Sequence, residues 1–359
     1  FVGTYTEPIH IGGDKIFQGK GKGVYLCAFD GERLETLARV DAVNPSYVCV
    51  DEEHRRLYAV GETKTWQATF GGSLSQWRYD ESWRFEREAC VGTGGTDPCH
   101  VAISPDGRWL ALANYASGTL TAFPRDGEGR IRPEGPRLFQ HEGGSVHPVR
   151  QQGPHAHSVV FTPDSRLFAV DLGKDALICY RQDAAELVTE EALNVQVTPG
   201  SGPRFGEFSA DGRHFYLITE MGSTVTHFAY QDGRMARRET LSTLPADFQG
   251  TNYGADVHLT PNGRFLYASN RGHDSLAIFR VGVDGELTLL GHQPCGGHMP
   301  RNFAIDPWGQ YLLVGNQLSD SLTAFRIEQD GKLSQVGDFA FPTPVCIRFL
   351  TREGTASGC

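Results

Sequence analysis

Five tight turns, each centred on a glycine or serine, supply a ruler along the chain: Gly107, Ser165, Gly212, Gly263 and Gly309. Eight residues before them stand Cys99, His157, Arg204, Ala255 and Arg301; eight after stand Tyr115, Gly173, Glu220, Arg271 and Gln317. If each turn joins two antiparallel strands, the two columns lie side by side at the far end of the hairpins. One opening then gathers an imidazole, three guanidiniums, a carboxylate and an amide. Arginine holds a carboxylate or phosphate through two parallel hydrogen bonds. Donors aimed at a developing oxyanion stabilise it by ~3–4 kcal/mol each. A Glu or His beside a water acts as general base, and the other as general acid. The pattern suits an anionic substrate whose carbonyl or carboxylate gains charge during reaction. His157, Arg204 and Glu220 are the catalytic candidates, and Arg271, Arg301 and Gln317 are candidates for substrate binding.

Other polar residues flank these columns. His155 and Asp256 are further candidates for substrate binding, although His155 alternates with His157 and is expected to point the other way. His100 and His258 fall off the inner column and read as satisfied histidines inside blades. Asp256 lies one residue past the column, and a bulge at Tyr253 and Gly254 would turn it inward. Residues 140–157, QHEGGSVHPVRQQGPHAH, form a polar, glycine-rich connection longer than the others. Long loops over an opening often bind ligand, and Arg150 and Gln151 are its best polar candidates.

The elements that must position these groups are short apolar runs separated by Gly, Pro, Asp and Ser. The run GPHAHSVVFTPDSRLFAVDLGKDALICY from Gly153 is a three-strand meander. Its frame recurs as PCHVAISPDGRWLALAN, PRFGEFSADGRHFYLITE, ADVHLTPNGRFLYASN and PRNFAIDPWGQYLLVGN, with a weaker copy, PSYVCVDEEHRRLYAVGE, from Pro45 and a remnant, PTPVCIRFL, from Pro342. Seven copies spaced about 45 to 55 residues apart predict a seven-bladed β-propeller of four-stranded antiparallel blades. One blade cannot cover its own apolar faces, so blades stack radially until the ring closes. The remnant lacks strands, and FVGTYT and GVYLCAF at the start have no blade of their own. The N-terminal strands are therefore expected to complete the C-terminal blade and remove an exposed edge.

Composition agrees with an all-β chain: 43 Gly, 19 Pro and 38 aromatics in 359 residues, with no long helical periodicity. That length ordinarily suggests two domains, but a propeller core grows by adding blades, so a single domain over 1–359 is expected. The eight cysteines show no CxxC pair and no zinc spacing. Cys49, Cys179 and Cys346 sit in predicted strands as small apolar residues. Reduced thiols and a cytoplasmic location are expected. Phe1 already lies in a strand-like run, consistent with a native start upstream. No run is long enough to span a membrane. The net charge of −10 and the lack of a basic stripe argue against nucleic acid, while a locally basic mouth still attracts small anions. No phosphate loop and no nucleophile elbow are present. A cationic ring with one carboxylate repels a hard cation, so neither metal nor cofactor is expected. Oligomeric state is not legible.

The motifs GTYT at Gly3, RQQGPHAHSV at Arg150, GSGPR at Gly200, ADVHLTPNGRFLYASNRGHDS at Ala255 and PRNFAIDPWGQYLLVGNQ at Pro300 resemble the seven-bladed lactonase family. That family includes propeller-type 6-phosphogluconolactonases and 3-carboxy-cis,cis-muconate cyclase. The likeness covers nearly the whole chain. It implies a metal-free enzyme acting on a lactone or its open acid, with the family's active-site His, Arg and Glu falling on His157, Arg204 and Glu220. Hydrolysis of 6-phospho-D-glucono-1,5-lactone is the leading expectation. Glu220 would activate water, with His157 as alternative base or as the acid. Arg204 would hold the substrate anion or the oxyanion, and Arg150, Arg271 and Arg301 the phosphate or carboxylate. Reversible cyclisation of a carboxymuconate and non-catalytic ligand binding are the alternatives. Two features depart from the family. Phe205 stands where relatives often carry His and is expected to be a packing change outside the inner column. Residues 63–89, with Trp66, Trp77 and Trp83, are less family-like.

Overall fold

A computed structural model describes residues 1–10, 16–183 and 186–351. These form seven four-stranded antiparallel blades in a ring, blade 3 carrying in addition the short strand Val195–Gln196 on its third strand. Blade 1 runs from Pro45–Asp51 outward to Phe85–Gly92, blade 2 from Pro98–Ile103 to Arg137–Gln140, and blade 3 from Ala156–Phe161 to Glu186–Thr189. Blades 4, 5 and 6 start at Pro203–Phe208, Tyr253–Leu259 and Pro300–Ile305 and end at Arg234–Ser242, Leu287–Pro294 and Leu333–Ala340. Blade 7 takes its innermost strand, Pro344–Ile347, from one end of the chain, and Val2–Thr4, Val24–Phe29 and Leu34–Val40 from the other. Val2 pairs with Ile347 and Gly3 with Cys346, the expected closure. Two small hairpins, Pro8–His10 with Ile16–Gln18 and Thr65–Trp66 with Thr69–Phe70, were not anticipated.

Burial explains the sequence pattern. The second strand of each blade is covered on both faces by its neighbours, so WLALAN (Trp109–Asn114) and FLYASNR (Phe265–Arg271) are buried throughout. Outer strands such as Arg234–Ser242 alternate between solvent and blade face. Blades are also stapled by tyrosines: Tyr216 and Tyr267 donate from second strands to Gly285 O and Gly331 O of the next blade, each at 2.8 Å. Gly331 has φ +85°, and a Cβ there would lie 2.4 Å from the Phe265 ring, so the staple requires glycine. The turn-centred ruler also has a structural basis. Gly107, Gly212, Gly263, Gly309 and Ser165 all take φ between 62° and 72°, Ser165 despite its side chain.

Register differs from the simple hairpin count. In blade 4 Pro203 pairs with Thr219 and Phe205 with Ile218, so Arg204 is an extra residue on its strand. The same β-bulge singles out Ser46, Cys99, His157, Arg301 and Val345 in blades 1, 2, 3, 6 and 7. In blade 5 the shift lies between Gly254 and Val257, later than the bulge expected at Tyr253 and Gly254. The two columns are therefore not cross-strand neighbours. One lies in the bulges and the other at the end of the second strand in blade 5 and just beyond it elsewhere. A bulge interrupts the two-residue alternation and re-aims a side chain, which here turns one residue per blade into the channel.

Candidate active site

Two rings of side chains make the mouth of the channel. The inner ring is the bulge ring. Ser46, Cys99, His157, Arg204, Arg301 and Val345 line one small cavity of about 10 Å³, the space of a single water, together with Tyr47, Glu62, Phe205 and Asn302. The outer ring consists of the first residue after each second strand, whose N–H closes the hairpin. Glu220 N donates to Gly202 O, Tyr115 N to Asp97 O, Gln317 N to Met299 O, Glu62 N to Asn44 O, Tyr5 N to Thr343 O and Leu172 N to His155 O. Arg271, paired with Tyr253, ends the second strand of blade 5 at the same height.

Glu220 is the hub. Its Oε1 accepts from Arg150 Nη2 at 2.5 Å, and its Oε2 accepts from Arg271 Nη2 at 2.7 Å and Arg204 Nε at 3.1 Å. His157 Nε2 stands 4.0 Å from Oε2. These five residues come from three blades and one loop, and His157, Arg204, Glu220 and Arg271 are all buried. Burial opposes the charge on Glu220, but Arg271, Arg150 and Arg204 outweigh it and hold the carboxyl well below its usual range. Burial, and then Arg204, push His157 well below the ordinary imidazole value, so it is neutral at pH 7. Arg204 is lowered to about 9 by burial and by Arg271 and Arg301, and so remains charged at neutral pH. Its Nη1 donates to Ala255 O. His157 Nδ1 lies 3.8 Å from Cys99 Sγ, and its ring packs between Tyr115 and Phe205 at 5.3 and 5.4 Å.

Arg150 is the one hub partner with appreciable exposure, 31% of its side chain, and its Nη2 also donates to Tyr115 OH at 3.0 Å. Arg301 lines the cavity above the Tyr5 ring, 5.5 Å from its centroid, and does not reach Glu220. Gln317 is buried with neither amide atom hydrogen-bonded, and Arg271 Nε likewise has no partner among the described residues. Such orphaned polar atoms in a native fold call for an explanation, and a bound ligand is one.

Three expected substrate contacts are engaged elsewhere. The Gln151 amide latches its own loop: Nε2 donates to Leu172 O at 2.8 Å and Oε1 accepts from His147 N at 3.0 Å. The Asp256 carboxylate is bulged inward but is taken by Asn302 Nδ2 and by His258 Nε2 at 3.2 Å. His155 stacks on Tyr115 at 4.7 Å and bonds its carbonyl through Nδ1, behind the mouth. Phe205 also differs from expectation. It follows the bulge, and its ring forms part of the cavity wall between His157 and Tyr47. His258 and His100 are satisfied inside the ring. Glu207 contacts His258 Nδ1 at 2.5 Å, and His100 Nδ1 accepts from Val159 N at 3.3 Å. Blade 3 has a shorter turn, so its outer-ring residue is Leu172 rather than Gly173. Tyr5 and Glu62 were missed because blades 7 and 1 are the weakest repeats. Glu62 is nevertheless the last residue of the copy that starts at Pro45.

The family described as "Lactonase, 7-bladed beta-propeller" matches residues 1–349. The chain belongs to the seven-bladed β-propeller lactonase family. Among its relatives, a 6-phosphogluconolactonase of Bacillus subtilis is 30% identical over 316 residues, covering 85% of this chain and 84% of the relative. One of Formosa agariphila is 32% identical over 320 residues, with coverage of 85% and 86%. The periplasmic gluconolactonase PpgL of Pseudomonas aeruginosa superposes with a TM-score of 0.87 at 34% identity, covering 96% of each chain. A protein from Lactobacillus plantarum superposes with a TM-score of 0.86 at 30% identity, covering 97% of this chain and 98% of that chain. No helix among the described residues is long and apolar enough to cross a membrane, and the seven described cysteines are unbridged.

Proposed function

We propose that the protein hydrolyses a sugar lactone, 6-phospho-D-glucono-1,5-lactone being the leading substrate and 6-phosphogluconate the product. The observation that carries this reading is the Glu220 carboxylate ringed by three guanidiniums beside a neutral imidazole. A carboxylate so strongly held in its charged form is a poor proton acceptor. Glu220 therefore serves as organiser of the guanidiniums, and His157 as the general base. Water adds to the lactone carbonyl carbon and gives its proton to His157. The carbonyl oxygen becomes an oxyanion held by Arg204 and Arg271. The bond to the ring oxygen then breaks, and the imidazolium returns the proton to that oxygen. Glu220 stabilises the imidazolium while it exists. The enzyme contributes mainly position and charge.

Arg150 lies over Glu220 and, as the exposed partner, is the side chain that moves to admit substrate. Arg301, Gln317 and the free Nε of Arg271 are available for the phosphate. No metal enters this scheme. The surplus of guanidiniums repels a cation, and among the described residues no three His, Cys, Asp or Glu side chains are arranged to hold one. Unbridged cysteines suit a cytoplasmic location. The test is turnover by purified protein, with and without EDTA, of 6-phosphogluconolactone, glucono-1,5-lactone and carboxymuconate. Lactone opening that is insensitive to EDTA and lost in Arg204→Ala supports the reading. Turnover of carboxymuconate alone, or of nothing, overturns it.

A further inference from the structure

Glu62 occupies in blade 1 the place that Glu220 occupies in blade 4. Pro45 pairs with Gly61 as Pro203 pairs with Thr219, and the next residue closes each hairpin through its N–H. The two carboxylates have different surroundings: Glu62 makes no ion pair within 4 Å among the described residues, although, against burial, Tyr5 and Glu62 help hold Arg301 in its charged form. Glu220 is saturated by three guanidiniums. Glu62 accepts one hydrogen bond, from Tyr5 OH to Oε2 at 2.9 Å, and its Oε1 has no hydrogen-bond partner among the described residues. Yet Glu62 lines the same cavity as His157, Arg204 and Arg301. A second carboxylate, Asp97, is near enough that burial and Glu62 together raise it to about 6. The mouth is thus two-sided: guanidiniums reach it from blades 4 to 6 and from the Arg150 loop, and the Glu62 carboxylate from blade 1.

A carboxylate oxygen without a protein partner is an acceptor only, and the groups that satisfy it are O–H or N–H donors. A ligand made of carboxylates alone would suit the guanidinium side and be repelled by Glu62. A ligand with an anionic or carbonyl end and a hydroxyl-bearing end matches both sides at once. Resting on the lactonase reading, we infer that Glu62 is the specificity-determining residue that reads the ring hydroxyls of a polyhydroxylated lactone, with Tyr5 holding the carboxylate in position. It thereby discriminates against polycarboxylates and against lactones without hydroxyls. A site built to bond a substrate hydroxyl rejects the analogue that lacks it, because its own polar group is left unpaired.

The experiment compares kcat/KM for glucono-1,5-lactone and for δ-valerolactone, which has the same ring without hydroxyls, in the wild type and in Glu62→Gln. The inference expects the variant to lose about tenfold or more on gluconolactone, the loss of a charge-assisted hydrogen bond, and to stay within about threefold on valerolactone. Glu62→Asp keeps the charge but withdraws it by one methylene. It is expected to show the same selective loss, and it covers the case of a Gln variant that does not fold. An equal fall on both lactones, or no change on either, overturns the assignment while leaving the lactonase reading intact. A wild type that opens neither lactone, with or without a phosphate, overturns both.

Discussion

Replacing Glu220 by Gln separates the organiser role from the base role. The carboxylate binds three guanidiniums at 2.5, 2.7 and 3.1 Å. With His157 neutral, the hub carries three positive charges and one negative. At an effective dielectric of about 20, one ion pair at ~4 Å is worth ~4 kcal/mol, offset by desolvation and by repulsion among the arginines. Deleting the negative charge leaves three buried or half-buried cations facing an amide. Removing one partner of a buried pair typically costs about 3–5 kcal/mol, and that is the expected loss in Glu220→Gln, read as a lower urea midpoint. Arg150→Ala alone is expected to cost less than about 1 kcal/mol, because its side chain is partly exposed. Added to Glu220→Gln, however, it should restore stability, since it removes one of three unbalanced cations. The pH dependence has a definite sign. Glu220 has a depressed pKa, so its contribution is present above the ordinary carboxyl value and lost as pH falls through the folded value, well below 4.5. The variant should lack that acid limb. A Glu220→Gln protein as stable as wild type within 0.5 kcal/mol, or further destabilised by Arg150→Ala, would refute the hub.

His157→Asn is expected to lower kcat about 10²- to 10⁴-fold with little change in KM, and in the wild type the acid limb of kcat should lie below pH 6.5, because His157 is shifted down. A limb at or above 6.5 would point to another base. Arg204→Lys keeps the charge but loses the planar fork that reaches both Glu220 and Ala255 O, so a fall of about 10²- to 10³-fold in kcat is expected; near-normal turnover would remove Arg204 from the oxyanion. For His258, burial opposes the charge, yet Asp256 and Glu207 raise it to about 10. Its stabilisation is therefore complete below the unfolded value near 6.5 and disappears as pH rises through about 10. Glu207→Gln should shrink that alkaline loss in urea titrations, and an unchanged slope between pH 6.5 and 10.5 would exclude the pairing.

The number of blades and the closure of the ring are set by a periodicity that survives in single-letter code, because each blade needs the same buried second strand and blades 2 to 6 share a left-handed turn residue before it, even when it is Ser165. The convergence of His157, Arg204 and Arg301 was also legible, since in their blades the bulge falls at one place and a constant offset from the turn finds it. The offset did not reveal the bulge itself. An extra residue on one strand leaves no mark in composition, so the pairing of the two columns had to be read from coordinates. Nor does spacing say which charge meets which. Asp256 and Gln151 stand close in sequence to the mouth but satisfy Asn302 and a loop carbonyl instead. Glu62 and Tyr5 reach the mouth from the two least regular repeats. Local pattern places a residue at a height on its blade. Radial packing of neighbouring blades chooses its partner, and with it the difference between a carboxylate saturated by guanidiniums at 220 and one bonded only by Tyr5 OH at 62.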